Sequence, residues 1–240
     1  MKNLMQLYIN NQNVKRDFRI ENTAADEATV YIYDVIGGWF GGVDAKEFVQ
    51  QIESIKANTI HVRINSPGGD VFDGRAIAAA LQRNSAKIIA HVDGMAASSA
   101  SWIALAADEV QIAPGAFFMI HNSWTMSVGD KRDMADTAKL LDQIDASFVS
   151  DYVARTKNSE KQIREWMDSE TWFEAADAVK NGFADKVEES AKKTGNSWNL
   201  SAYKNAPKAL IENEQVDEPE MKVDRESLER RLALLERIAA

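Results

Sequence analysis

Three apolar runs, each rich in β-branched or aromatic residues, recur along the first half of the chain and end in glycine-containing turns. They are residues 29–37 (TVYIYDVIG), 59–65 (TIHVRIN) and 87–92 (KIIAHV). Each turn precedes a segment with helical spacing of apolar residues, and Asp44 is placed as the N-cap of the first helix. Strands that alternate with helices in this way predict an α/β fold of parallel βαβ units, with helices covering the sheet.

The remaining pattern divides the chain into four parts. Residues 1–28 form a polar lead-in with one expected strand around residues 7–9, and residues 29–189 form the main domain. Residues 190–222 are polar and contain an acidic run, which indicates a linker. Residues 223–240 have leucines at helical spacing, which predicts an amphipathic helix.

Within the main domain, further elements follow the third strand. The expected elements are strands at 109–114 and 117–121, a long helix at 131–157, a shorter helix at 159–167, a helix C-cap at Gly182 and a last strand at 184–187.

Composition excludes several classes of protein. The 240 residues carry a net charge of −9, which argues against a nucleic-acid-binding surface, and no apolar run is long enough for a membrane span or a signal peptide. There is no cysteine, so disulfides and a cysteine nucleophile are excluded. The glycine motifs that bind dinucleotides or nucleoside triphosphates are absent, and no cofactor is expected. We therefore expect a soluble, cytoplasmic protein.

Ser98 is the best-placed nucleophile. It follows the third strand and a tight turn, and it begins a helix of small residues (AASSASWIALAA, 96–107). A hydroxyl there lies near the positive end of the helix dipole and near free N–H groups, which are the donors that an oxyanion needs. From the residues alone, a small-residue helix that packs closely on a neighbour explains the same pattern.

Four segments resemble, in order and spacing, the signature blocks of the ClpP-type serine peptidases. They are INSPGGDVFDG (64–74), GMAASSASW (94–102), MIHN (119–122) and EAADAVKNGFADKV (174–187). The resemblance implies a ClpP/crotonase-like fold of repeated ββα and βαβ units with a long handle helix. It also implies a serine endopeptidase, with Ser98 rather than Ser99 or Ser101 as the nucleophile.

The same resemblance implies roles for further residues. His121 matches the family's histidine and would be the general base for Ser98. The N–H groups of Gly69 and Ser99 would form the oxyanion hole. The family's acid falls on Glu170, where an aspartate is usual, and Asp168 two residues earlier is the alternative.

The other candidate side chains fit a site less well. His61 and His91 lie inside strand patterns, where structural roles are expected, and the three histidines lack metal-ligand spacing. No metal site is therefore expected. A serine–lysine mechanism would need a lysine at the site, and Lys87 opens a strand far from its carboxyl end.

The resemblance extends to partners. It implies a ring-shaped homo-oligomer, heptamer or tetradecamer, joined through the helix at 131–157, and an AAA+ ATPase partner. The WFGG turn and the polar tail are similar to phage and prophage head-maturation proteases, whose substrates are scaffold or capsid proteins.

Two other functions remain open. One is a non-catalytic assembly protein on the same scaffold, and the other is a crotonase-fold acyl-CoA enzyme that uses two backbone N–H groups without a nucleophile. Neither the cleavage specificity nor the ring size follows from the sequence.

Overall fold

The computed structural model describes residues 7, 9–11, 14, 17–24, 26–38, 41–189 and 198–211. The strands are β1 (Asp17–Ala24), β2 (Glu27–Tyr33), β3 (Thr59–Ser66), β4 (Lys87–Ala97), β5 (Glu109–Ile112), β6 (Phe117–Ile120), β7 (Thr171–Glu174) and β8 (Lys186–Val187). The helices are α1 (Ala45–Ser54), α2 (Val71–Arg83), α3 (Ser99–Leu105), α4 (Lys131–Thr156), α5 (Glu160–Asp168), α6 (Ala175–Lys180) and α7 (Lys208–Ile211).

The strands form one mixed sheet with a mainly parallel centre. Its order is β1-β2-β3-β4-β5-β8, and β2 to β5 and β8 are parallel, as the alternation of strands and helices predicted. Antiparallel pairing occurs between β1 and β2 and between β6 and β7. The carboxyl-terminal part of β4 leaves β5 and pairs with β6 instead, through Met95, Ala96 and Ala97. This change of partner opens the sheet where β4 ends.

Aspartate side chains begin the helices that cover the sheet. Asp44 caps α1 by accepting the N–H of Glu47 at 2.9 Å, as predicted, and Asp70 caps α2. Asp130 begins α4 with a capping box, in which its carboxylate and that of Asp133 satisfy each other's backbone N–H. Gly182, at a φ of +80°, ends α6 in the left-handed conformation expected for a C-cap glycine.

The main hydrophobic core lies between the sheet and helices α1, α2 and α3. Alternate residues of each central strand point into it, which is the consequence of the two-residue repeat of a strand. The fully buried members with the largest side chains are Phe48, Phe118, Phe183, Ile32, Ile36, Ile52, Ile60, Ile64, Ile77 and Leu81. The three apolar runs therefore form the centre of the fold.

The amino-terminal lead-in differs from the expectation. The strand expected around residues 7–9 is helical at Leu7 and Ile9, and an unexpected strand, β1, lies at Asp17–Ala24. The sequence DFRIENTA of β1 has only a short alternation, in which Phe18 and Ile20 pack against the core, and polar residues follow it, so the strand signal is weak.

Residues 198–211, hereafter the strap, pack against the domain, although they fall inside the segment expected to be a linker. Trp198, Leu200, Tyr203 and Leu210 are buried in a second hydrophobic cluster. The sheet contributes Met95, Ala97, Phe117 and Met119 to it, and Leu7 completes it. Because residues 190–222 are polar on average, these four apolar side chains did not give a strong packing signal in the sequence.

The other tail expectations lie outside the described residues. These are the amphipathic helix at 223–240 and the linker character of residues 190–197 and 212–222. Within the described ranges, no helix combines the length and the apolar character that a membrane crossing requires.

Candidate active site

Ser98 lies in a sharp turn between β4 and α3. Its backbone has a φ of +55° and a ψ of −128°, a conformation that costs a non-glycine residue energy and is found at functional turns. Its N–H donates to the carbonyl of Met119 at 3.0 Å. Although Ser98 is the N-cap of α3, its side chain makes no capping hydrogen bond. The hydroxyl is therefore free to turn toward another group.

The serines that follow Ser98 are structural. Ser99 is 1% exposed and Ser101 is fully buried, and the hydroxyl of Ser101 lies 2.6 Å from the carbonyl oxygen of Ser98 and 2.7 Å from the hydroxyl of Tyr152. A Cβ on Gly74 of α2 would lie 2.9 Å from the Cβ of Ser99, so α2 and α3 approach closely. Both sequence interpretations thus apply, because the small residues pack closely while Ser98 faces the site.

His121 follows the last residue of β6. Because Ala97 of β4 pairs with Met119 of β6, the residues just beyond these two strand ends lie side by side. The Nε2 atom of His121 lies 2.8 Å from the hydroxyl oxygen of Ser98. This is the distance at which a neutral imidazole accepts the proton of a serine hydroxyl.

Burial keeps the His121 imidazole neutral. Removal from water lowers the pKa of His121 to about 4, and the negative charge of Glu170 opposes this shift. A neutral ring at neutral pH is the form that a general base requires.

The glycine turn after β3 packs directly against the Ser98 turn. Gly68 has a φ of +85°, and a Cβ there would lie 2.7 Å from the Cβ of Ser98. Gly69 has a φ of +154°, and a Cβ there would lie 2.0 Å from the carbonyl oxygen of Ile36. Only glycine fits these two positions. No hydrogen bond within the described residues uses the N–H of Gly69 or of Ser99.

The two candidate acids occupy different places. Ile120 of β6 pairs with Thr171 of β7, and continuing this antiparallel register by one residue places His121 opposite Glu170. Glu170 has a φ of +48° and is the carboxylate whose charge acts on His121. Asp168 is exposed and accepts a hydrogen bond from the side chain of Asn122 at 2.8 Å. The geometry favours Glu170.

An apolar cavity of about 180 Å³ opens beside Ser98 and His121. Its walls are the glycine turn with the start of α2, the segment after His121, and one face of α4. The apolar lining side chains are Val71, Phe72, Trp124, Leu140, Leu141, Ile144 and Phe148. A cavity of this kind next to a reactive hydroxyl fits an apolar side chain of a substrate.

The other histidines lie on the sheet, away from Ser98. The Nδ1 atom of His61 is 2.9 Å from Nε2 of His91, and burial lowers the pKa of His91 to about 4. Neighbouring Arg63 pairs with Asp93, as expected of a structural polar cluster. Among the described residues, no three His, Asp or Glu side chains converge as metal ligands. Lys87 pairs with Glu109 at the start of β4, the opposite end of that strand from Ser98.

The strap brings residues to the site that the sequence did not indicate. The ring of Tyr203 meets the His121 ring edge to face at 5.6 Å, and Glu170 accepts the N–H groups of Lys204 and Asn205 at 3.0 and 2.6 Å. In the sequence, the two aromatic residues of the otherwise polar stretch SWNLSAY, Trp198 and Tyr203, were the available signal that this segment packs against the domain.

Several known proteins are similar to this chain in sequence. The family described as Clp protease matches residues 15–191. The ATP-dependent Clp protease proteolytic subunit 1 of Protochlamydia amoebophila is 28% identical over 177 residues, which cover 70% of this chain and 84% of the relative. Subunit 2 of Tropheryma whipplei is 31% identical over 130 residues, 53% of this chain and 72% of the relative.

A solved structure gives the same result for the fold. A ClpP1 variant from Listeria monocytogenes superimposes with a TM-score of 0.60 at 24% identity, covering 68% of this chain and 91% of that one. The ClpP-like fold expected from the sequence is confirmed. With the family match over residues 15–191, we conclude that the chain belongs to the Clp protease family of serine-type peptidases.

Proposed function

We propose that this chain is a serine endopeptidase with Ser98 as nucleophile, His121 as general base and Glu170 as the acid that orients His121. The observation that carries the proposal is the 2.8 Å separation between the Ser98 hydroxyl and Nε2 of His121 at a strained turn. A serine hydroxyl is a weak nucleophile unless a base takes its proton as it attacks. The pair supplies that base.

The proposed reaction follows from these positions. The Ser98 oxygen attacks the scissile carbonyl carbon while His121 takes the hydroxyl proton, and the carbonyl oxygen becomes an oxyanion. The unused N–H groups of Gly69 and Ser99 stabilise this oxyanion. His121 then gives its proton to the leaving amine, and the peptide bond breaks. Water, deprotonated by His121, hydrolyses the resulting acyl-enzyme and frees Ser98.

The acid assignment can be tested with two neutral variants in the intact protein. We expect Glu170→Gln to lower kcat by about 10³–10⁴-fold on an unstructured protein substrate, because an amide neither orients the imidazole nor stabilises the imidazolium. Asp168→Asn should lower kcat far less, since Asp168 is exposed and bonded to Asn122. Steady-state proteolysis measures both variants.

Ser98→Ala gives the background rate without the nucleophile. Ser54→Ala is the control for loss of a surface serine, because the Ser54 hydroxyl donates only to the carbonyl of Gln51 in its own helix. Equal and mild losses in Glu170→Gln and Asp168→Asn would contradict the acid assignment while leaving the Ser98–His121 pair intact. Full proteolysis by Ser98→Ala would contradict the peptidase proposal and favour an assembly protein on the same scaffold.

We also propose a homo-oligomer joined through α4, whose ring size is expected to follow the family's heptamer or tetradecamer. Only Phe148, Val149 and Tyr152 of this 26-residue helix are buried, all near its carboxyl end. The approach to the helix and its first half expose apolar side chains, with Val128 at 99%, Met134 at 40% and Leu140 at 50%. Apolar surface of this kind marks a contact with another copy of the chain.

Introducing charges on this apolar surface tests the proposed contact. We expect Val128→Glu combined with Met134→Glu to convert the oligomer to smaller species, because carboxylates would be buried without partners at the contact. Sedimentation velocity measures the change. Lys139→Glu, on the same helix with a side chain that is 74% exposed, is the matched control. A protein that sediments as a monomer before any substitution would overturn the proposal.

The substrates we propose are scaffold or capsid proteins trimmed during phage head maturation. The support is the sequence: the WFGG turn and 51 residues beyond the main domain, from 190 to 240, resemble phage members of the family. The setting would be the cytoplasm of a bacterium or an infected host. An AAA+ ATPase is the proposed partner for folded substrates, as the relatives' names state that they are ATP-dependent.

Co-expression tests the substrate proposal. The chain, or its Ser98→Ala form, is produced together with a phage scaffold protein and a major capsid protein, and the extracts are kept in ATP or depleted of it. We expect shortened scaffold or capsid protein only with intact Ser98. Cleavage that persists without ATP would argue against the ATPase partner, and unprocessed proteins in every sample would contradict the head-maturation role.

A further inference from the structure

We propose that the strap, residues 198–211, is a positioning element of the catalytic site, in which Tyr203 holds His121 and the backbone of Lys204 and Asn205 holds Glu170. The inference rests on the proposed Ser98–His121–Glu170 triad. It assigns to residues beyond the last strand a role in the chemistry, in addition to their role in packing.

The strap is firmly anchored on both sides of the site. Trp198 is 1% exposed, and its indole N–H donates to the carbonyl of Asn65 at 3.1 Å, next to the glycine turn. Five residues later, the Tyr203 hydroxyl donates to the carbonyl of Pro67 in that same turn. Asn11 reaches in from the amino-terminal segment and exchanges hydrogen bonds with the backbone of Asn199 at 2.7 and 3.0 Å. These contacts fix the strap relative to the oxyanion turn.

Tyr203 forms one wall around His121. Its ring meets the imidazole at an interplanar angle of 88° and packs on Trp172 at 5.6 Å. The ring limits the rotation of His121 and keeps water from it, so the Nε2 atom stays directed at Ser98. The burial that keeps His121 neutral therefore depends in part on a residue of the strap.

The backbone of the strap holds the acid. The Lys204 N–H donates to one carboxylate oxygen of Glu170 and the Asn205 N–H to the other, and the Asn205 side chain donates to the carbonyl of Ser169 at 2.6 Å. A carboxylate has about four acceptor positions, so two stay available for His121. Glutamate has one more rotatable bond than the aspartate usual in the family, and two N–H donors remove the extra freedom.

The strap does not block the site. The apolar cavity beside Ser98 is lined by the glycine turn, the segment after His121 and α4, and within the described residues no part of the strap lines it. A substrate can therefore reach Ser98 from the cavity while the strap stays in place. This arrangement fits a positioning role and not a plug.

The charged and titratable groups around His121 set its pKa, and the pKa is the quantity that the test of the strap follows. Glu170 faces it from the turn before β7, and the ring of Tyr203 faces it from the strap. The Tyr203 hydroxyl is directed instead at the Pro67 carbonyl and the Ser98 side chain. Helices α5 and α4 contribute Asp168, which bonds Asn122, and Asp145, which bonds the N–H of Ser123. Tyr203 is the one of these groups whose ring covers the imidazole. Loss of that ring should let the pKa of His121 rise toward its ordinary value.

The test compares Tyr203→Phe and Tyr203→Ala in the full chain by the pH dependence of kcat/KM. In the parent protein we expect the acid limb near pH 4, because burial lowers the pKa of His121 to about 4. In Tyr203→Ala we expect the acid limb to move up toward pH 6.5, with a loss of up to about 30-fold at pH 5 relative to the plateau, and a lower kcat. Tyr203→Phe keeps the ring and should retain the parent profile.

Tyr203→Leu provides the same readout if the alanine variant fails to fold, because leucine fills part of the space without covering the imidazole. An unchanged acid limb in folded Tyr203→Ala or Tyr203→Leu would overturn the inference. That result is distinguishable from failure of the proposed function, in which Ser98→Ala itself would remain active. A purely structural strap would lower the stability of these variants without moving the acid limb.

Discussion

The left-handed turn at Ser98 is the constraint on which the rest of the site depends. A φ of +55° at a serine is costly, and the fold maintains it because β4 changes partners from β5 to β6 just before the turn. The Ser98 N–H is then held by Met119 of β6, two residues before His121. Gly68 must be a glycine because its α-carbon lies against Ser98. The proposed nucleophile, the proposed base and the proposed oxyanion turn are therefore positioned by one junction of strands.

Much of this arrangement was predictable from the sequence, because the strong signals come from buried elements. Residues 29–33, 59–65 and 87–92 lie in the central strands β2, β3 and β4, while residues 34–37 of the first predicted strand lie beyond the end of β2. Asp44 and Gly182 begin and end helices as predicted. Ser98 and His121 were selected by a strand–turn–helix pattern and a family resemblance, and the structure places them 2.8 Å apart. The family resemblance placed the proposed acid at Glu170, with Asp168 as the alternative, and the register of β6 and β7 places Glu170 opposite His121.

The parts that the sequence did not reveal have weak local signals. Strand β1 has only two core-facing residues, Phe18 and Ile20, among polar neighbours, and its pairing with β2 is set by tertiary contacts. Residues 198–211 have the composition of a linker, yet Trp198 and Tyr203 find partners more than 130 positions earlier in the chain, at Asn65 and Pro67. Such contacts leave no periodic pattern. The strap also fixes the carboxylate of the proposed acid, Glu170, through the N–H groups of Lys204 and Asn205.

The central claim is that Ser98 is the nucleophile and that His121 activates it. Reaction of the full-length protein with a fluorophosphonate, followed by mass-spectrometric mapping of the modified residue, tests it most directly. We expect a single adduct on Ser98, not on Ser99 or Ser101, that is absent in Ser98→Ala and forms much more slowly in His121→Ala. A folded protein that stays unmodified, or an adduct on another residue, would contradict the claim.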